Sequence, residues 1–152
     1  MLLKKDSGLK APNYDKVLSL LETRFGHILE DLRANRLIEL NMENGNVGDQ
    51  DIKAMSKLLS KAKHLKKINL RRNRISEKGV QYLCDALINS RIEILDLSYN
   101  RISPLCFGHF KNFKSFNKKL KYINIKNNDI PTSIRRKKIP EFQKLGLFFD
   151  FK

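Results

Sequence analysis

At 152 residues the chain has room for one domain with a useful core, and 41% apolar residues keep it within the globular range. Thirty-one basic against 16 acidic residues give a net charge of +15, a balance that suits anionic partners such as nucleic acid, acidic membranes or an acidic protein. The opening Met1-Leu2-Leu3-Lys4-Lys5-Asp6 is too short in apolar residues for a signal sequence, no run approaches a bilayer span, and Cys84 and Cys106 make neither a disulfide framework nor metal-ligand spacing; a reducing, cytoplasmic setting is expected, with both thiols packed as small hydrophobes.

The first predicted element is an amphipathic helix over 14–34, with Tyr14, Val17, Leu18, Leu21, Phe25, Ile28, Leu29 and Leu32 at helical spacing. Residues 1–36 are expected to form a helical cap over the first strand. Residues 37–152 are expected to form a repeat domain, its copies starting at 37, 65, 92 and 120. The copies read Leu37-Ile-Glu-Leu40-Asn-Met42-Glu-Asn-Gly45-Asn-Val47, Leu65-Lys-Lys-Ile68-Asn-Leu70-Arg-Arg-Asn73-Arg-Ile75, Ile92-Glu-Ile-Leu95-Asp-Leu97-Ser-Tyr-Asn100-Arg-Ile102 and Leu120-Lys-Tyr-Ile123-Asn-Ile125-Lys-Asn-Asn128-Asp-Ile130. Within each, alternate side chains share one face of a short strand, so Ile68 with Leu70 and Leu95 with Leu97 point inward.

Between the strands the apolar spacing turns helical. Ile52, Met55, Leu58, Leu59 and Ala62 follow the first strand, and a shift of 28 gives Val80, Leu83, Ala86 and Leu87. After the third strand, Phe107, Phe110, Phe113 and Phe116 recur every three residues and are expected in the core. The fourth connection contains Pro131 and Pro140; it should be irregular, with a short helix starting near Pro140. Leu147, Phe148, Phe149 and Phe151 make a last strand or cap near 145–152, with Asp150 leaving its register open.

The four copies share the pattern L-x-x-L-x-L-x-x-N-x-L at spacings of 28, 27 and 28, and in this the chain resembles the leucine-rich-repeat superfamily, in its ribonuclease-inhibitor-like branch, over roughly 37–150. The resemblance implies an α/β solenoid: a right-handed β-α superhelix with a parallel sheet on the concave face and helices on the convex face. It also implies that Asn73, Asn100 and Asn128 form a ladder bonding the backbone of adjacent turns. Gly45 stands at that place in the first copy, so the ladder should lack its first rung. The implied function is protein binding through the concave face. The branch includes inhibitors, GTPase-activating proteins and effectors injected by bacterial pathogens. Richness in Lys, Asn and Ile suits the last, while length and the lack of a diagnostic motif disfavour GTPase activation.

The variable positions of the repeat mark the expected binding surface. Their charges alternate in sign from copy to copy, placing Glu39 beside Lys67, Glu43 beside Arg71 and Lys66 beside Glu93. These are either solvated ion pairs or a surface that selects a partner by sign and register. Ile94, Tyr99 and Tyr122, with Arg72 and Lys126 nearby, have the composition of an interface hot spot; Asp96 and Asn124 complete the candidate set. Off the sheet, Lys53, Lys57, Lys61 and Lys63 follow the first copy, and Lys111, Lys114, Lys118 and Lys119 the third. Arg135, Arg136, Lys137 and Lys138 form the densest basic run, read either as a solvated loop or as a nuclear-localisation or anionic docking patch. The alternative to protein binding is nucleic-acid or anion binding by the convex basic surface.

No metal and no cofactor are expected, and no enzyme motif is present. His27, His64 and His109 stand without H-E-x-x-H, no phosphate-cradling glycine loop occurs, and Cys106 with His109 sits in a Phe-rich helix start. A monomer is expected, with an edge-strand dimer as the alternative.

Overall fold

The computed structural model of the chain describes residues 11–150. A helix, α1 (Tyr14–Arg33), is followed by β1 (Glu39–Asn41), α2 (Asp49–Leu59), β2 (Lys67–Asn69), α3 (Glu77–Leu87), β3 (Ile94–Asp96), α4 (Cys106–Phe116), β4 (Tyr122–Asn124), α5 (Thr132–Lys144) and β5 (Phe148–Asp150). The five strands form one parallel sheet in the order β1-β2-β3-β4-β5. Glu39 lies opposite Lys67, Lys67 opposite Ile94, Ile94 opposite Tyr122 and Tyr122 opposite Phe148. Each strand is thus laid on the last by a helical return of nearly constant length. The result is an α/β leucine-rich-repeat solenoid.

The apolar positions of the repeat are the core. Leu40, Ile68, Leu95 and Ile123 point inward at the fourth position, and Met42, Leu70, Leu97 and Ile125 at the sixth; all are essentially inaccessible. Val47, Ile75, Ile102 and Ile130 close each turn from below and are also buried. The helices add Ile52, Met55 and Leu59 from α2 and Val80, Leu83 and Leu87 from α3. One continuous apolar cluster therefore runs from Leu21 to Leu147.

Asn73, Asn100 and Asn128 form the ladder. The Asn73 side-chain amide donates to the carbonyls of Met42, Leu70 and Arg71, while its oxygen accepts from the Gly45 and Val47 amides. Asn100 and Asn128 repeat this one and two turns on, accepting from the Ile75 and Ile102 amides. Each buried side chain thereby pairs groups from two turns that the bend would otherwise strand without partners.

The missing first rung has a physical cause. A Cβ on Gly45 would lie 2.3 Å from the Phe25 ring, so the ring fills the place of an asparagine. Phe25 reaches it from a break in α1, where its φ of −135° departs from helical values. Helix α1 packs chiefly on α2 and so extends the helical layer, instead of lying over β1 as expected.

Three other expectations are corrected. Phe107, Phe110 and Phe113 are buried, but Phe116 is 64% exposed. A step of three falls 60° short of a full helical turn, so three steps carry Phe116 half-way round from Phe107. The fourth connection is a helix of 13 residues with Pro140 inside it, not an irregular segment with a helix starting there. Pro131 sets its N-terminus, and Pro140, which has no N–H, removes one hydrogen bond without ending it. The run 135–138 therefore lies on a helix and not in a loop.

At the far end Phe149 takes the inward place opposite Ile123 and meets the rings of Phe142, Phe110 and Phe107 at 4.7, 5.6 and 6.0 Å. Leu147 is buried and Phe148 is 62% exposed; Phe151, like residues 1–10 of the expected cap, lies outside the described residues.

Candidate protein-binding surface

The exposed positions of the strands are ordered by a feature of the fifth position, which holds Asn41, Asn69, Asp96 and Asn124 in the four copies. Each side-chain oxygen accepts from the amide two residues on, at Glu43, Arg71, Ser98 and Lys126, over 2.9–3.1 Å. These local bonds turn the chain out of the strand. Asp96 also accepts from the Ser98 hydroxyl and from the Asn124 amide. Two residues of the expected binding set, Asp96 and Asn124, are thus engaged in holding the surface. The signal was in the sequence, since the column is Asn or Asp throughout.

Three residues beyond, the eighth position of every copy lies in the left-handed region: Asn44, Arg72, Tyr99 and Asn127, with φ of 53°, 55°, 56° and 52°. Asparagine tolerates that conformation, whereas arginine and tyrosine are strained by about 1 kcal/mol each. The two strained residues sit in adjacent copies and meet. Two guanidiniums lie over the Tyr99 ring, with Arg71 4.8 Å and Arg72 5.3 Å from its centroid. Arg71 is braced by Glu43, Nε to Oε1 at 3.5 Å. Tyr99 remains 42% exposed and Arg72 is exposed, so an aromatic face and a cation stay available to a partner.

Two leucine-rich-repeat family models match the chain, over residues 61–84 and 91–113. Both matched segments are leucine-rich repeats, and the fold built on them is a leucine-rich-repeat solenoid. Among solved structures the chain is similar to the actin-binding site 2 of leiomodin-1, with a TM-score of 0.69 at 18% identity over 84% of this chain and 80% of that one. No curated protein sequence matches it. Leucine-rich-repeat domains generally mediate protein–protein interaction.

The rest of the expected hot spot divides from Tyr99. The Tyr122 hydroxyl donates to Asp150 at 3.0 Å and Lys126 pairs with Asp150 at 2.8 Å, so both side chains fasten β5 to β4. Burial and the Asp150 carboxylate together push the Tyr122 hydroxyl up to about 12. Ile94 is half-buried between Lys67 and Tyr122. Of the expected charge pairs, Glu43 meets Arg71, and Glu39 lies opposite Lys67 in register. Glu93 bonds Lys121 at 2.8 Å, not Lys66, and that bond holds its carboxyl below the usual range.

The basic run does not make one patch. Consecutive helical residues diverge by about 100°: Arg135 donates to the Ile130 carbonyl at 2.7 Å, Lys138 pairs with Glu141 at 2.8 Å, and Arg136 and Lys137 are exposed. Lys111 also pairs with Glu141, and Lys114 donates to the Leu120 carbonyl. Among the described residues no group of three or more His, Cys, Asp or Glu side chains could hold a metal ion, and no helix is long and apolar enough to cross a membrane.

Proposed function

We propose that this leucine-rich-repeat protein is a non-enzymatic adaptor that binds a protein partner through the concave face, with Tyr99 and the guanidiniums of Arg71 and Arg72 as its anchor. The observation that carries this reading is the strain. At the eighth position the backbone favours asparagine, which two copies have; copies two and three hold arginine and tyrosine instead. Strain retained at two adjacent surface sites calls for a use that the fold itself does not supply. Tyrosine and arginine are the residues that most often anchor interfaces, and a preformed cation–π cluster loses little side-chain freedom on binding.

Register offsets near 28 and one helix per repeat support the ribonuclease-inhibitor-like branch, and the Lys-, Asn- and Ile-rich composition supports an effector translocated by a bacterium. Two buried thiols support a reducing, cytoplasmic site of action.

The test uses Tyr99→Asn and Arg72→Asn, which place the favoured residue at each strained site. Partners captured with immobilised wild-type protein are quantified against both variants, with purified actin as one defined probe because leiomodin-1's segment shares the fold. Affinity should drop about tenfold or more, while the thermal midpoint does not fall, because relieved strain offsets the lost cation–π contact. Unchanged affinity in both variants, or a melting temperature that collapses, overturns the proposal.

A further inference from the structure

The loops that lead from each helix into the next strand lie side by side along one rim of the solenoid. Residues 60–66, 88–93 and 117–121 place Lys61, Lys63, Lys66, Arg91, Lys118, Lys119 and Lys121 there against one carboxylate, Glu93. Glu93 is already taken by Lys121 at 2.8 Å. A concavity of about 400 Å³ is lined by Lys66, Arg91, Glu93 and Lys119, and among the described residues those three cations have no ion-pair partner. Neighbouring repeats are about 5 Å apart, less than the screening length of about 8 Å at physiological salt, so the charges act together. The opposite rim mixes signs, with Arg71 beside Glu43 and Arg24 beside Asp51.

The same rim carries bare apolar side chains. Helices α4 and α5 end there with Phe116 at 64% and Leu145 at 41% exposure. Leu145 lines a second concavity, of about 280 Å³, with Lys111, Lys114 and Lys118. An exposed phenylalanine and leucine at the C-terminal end of a basic band match the chemistry of a membrane interface, which accepts apolar side chains below a layer of anionic phosphates. A nucleic-acid backbone would use the cations but has no use for the leucine, and one phenylalanine is a poor stacking platform.

We propose that this rim docks the protein peripherally on an anionic phospholipid surface, the cations at the headgroup phosphates and Phe116 and Leu145 in the interface. Docked in this way, the concave face stays open, so this contact and the binding of a protein partner are separable.

Co-sedimentation of the full chain with vesicles tests it, comparing phosphatidylcholine alone with phosphatidylcholine holding about a third phosphatidylserine. Binding is expected only with phosphatidylserine and is lost by about 0.5 M salt. Lys66→Glu, Arg91→Glu and Lys119→Glu together should lower vesicle affinity about a hundredfold or more, and the corresponding glutamine triple should lower it less. Reversal of the same number of charges elsewhere, at Lys57, Arg136 and Lys137, should cost far less. Phe116→Ser with Leu145→Ser should weaken binding about tenfold while leaving its salt dependence unchanged. All six cations and both apolar residues lie on the surface, so thermal midpoints should match the wild type. The proposal fails if phosphatidylserine vesicles are not bound, or if the two charge-reversal triples lose affinity equally. It also fails if the Phe116/Leu145 variant binds vesicles like the wild type while an RNA homopolymer is retained through the rim cations.

Discussion

Asp150 gathers two side chains that the sequence assigns to the recognition surface. Tyr122 donates to it and Lys126 pairs with it, so the last strand is pinned by polar contacts on its outer side as well as by Phe149 within. A half-buried hydroxyl held by a carboxylate contributes about 1 kcal/mol, and Tyr122→Phe should lose about that much in a denaturant titration at pH 7. The pH dependence follows from the hydroxyl's displacement to about 12. In the unfolded chain it ionises near the usual value of about 10; in the folded chain it keeps its proton longer. Its stabilisation is therefore complete below pH 10 and fades as pH rises towards 12. The gap between wild type and Tyr122→Phe should narrow over that window, and a gap independent of pH would show that the hydroxyl is not what matters. None of this could be read from the repeat pattern. The step from Tyr122 to Phe148 is 26 residues where the earlier steps are 28, 27 and 28, so Asp150 falls out of any alignment based on the period. The turn-forming column at Asn41, Asn69, Asp96 and Asn124 was visible, yet its exposure pattern made it look like part of the surface.

The strands and their returns were legible for a simple reason: four apolar positions per copy fix which side faces the core, and the same four recur. What escaped were the elements that serve a single copy. Helix α1 looked like a lid for the first strand because its apolar stripe is real; the stripe instead meets α2, and its Phe25 replaces the side chain that Gly45 lacks. Phe116 escapes the pattern because spacing of three resembles a helical face over two turns and leaves it by the third. Pro140 reads as a start signal for α5, yet eight residues of helix precede it. The exchange between Phe25 and Gly45 yields an element-level prediction. Gly45→Asn, which restores the repeat consensus, should destabilise the protein by about 1–3 kcal/mol, because the new side chain and the ring need one space. Phe25→Ala should also destabilise it, through lost packing. Combined, they should cost less than their sum, since removing the ring opens room for the amide. A double-mutant cycle by thermal or chemical melting measures that coupling, and strict additivity would mean that the ring and the glycine are unrelated.

Stacked turns share interfaces only with their neighbours, so the stability of such a molecule is a sum over repeats and the contacts between them. Here the apolar cluster is unbroken from Leu21 to Leu147, and the asparagine ladder crosses each repeat boundary it reaches. With only about four repeats, this continuity should make unfolding a single event. Cys84 and Cys106 report on it, because both are buried and lie in successive helices of the layer. Burial pushes both thiols up, Cys106 to about 12. A thiol that stays protonated when folded but ionises near pH 8.5 when unfolded favours the native state below that range, and the advantage is lost as pH rises through about 12. In native buffer near pH 8, alkylation should therefore proceed only through opening, with both cysteines modified at one rate that rises with denaturant along the global unfolding slope. Stability should decline on the alkaline side, and substitution of both cysteines by alanine should flatten that decline. If Cys106 were modified well ahead of Cys84, the C-terminal turns would open by themselves, and the aromatic cluster of Phe107, Phe110, Phe142 and Phe149 would be a separate unit instead of the closed end of one core.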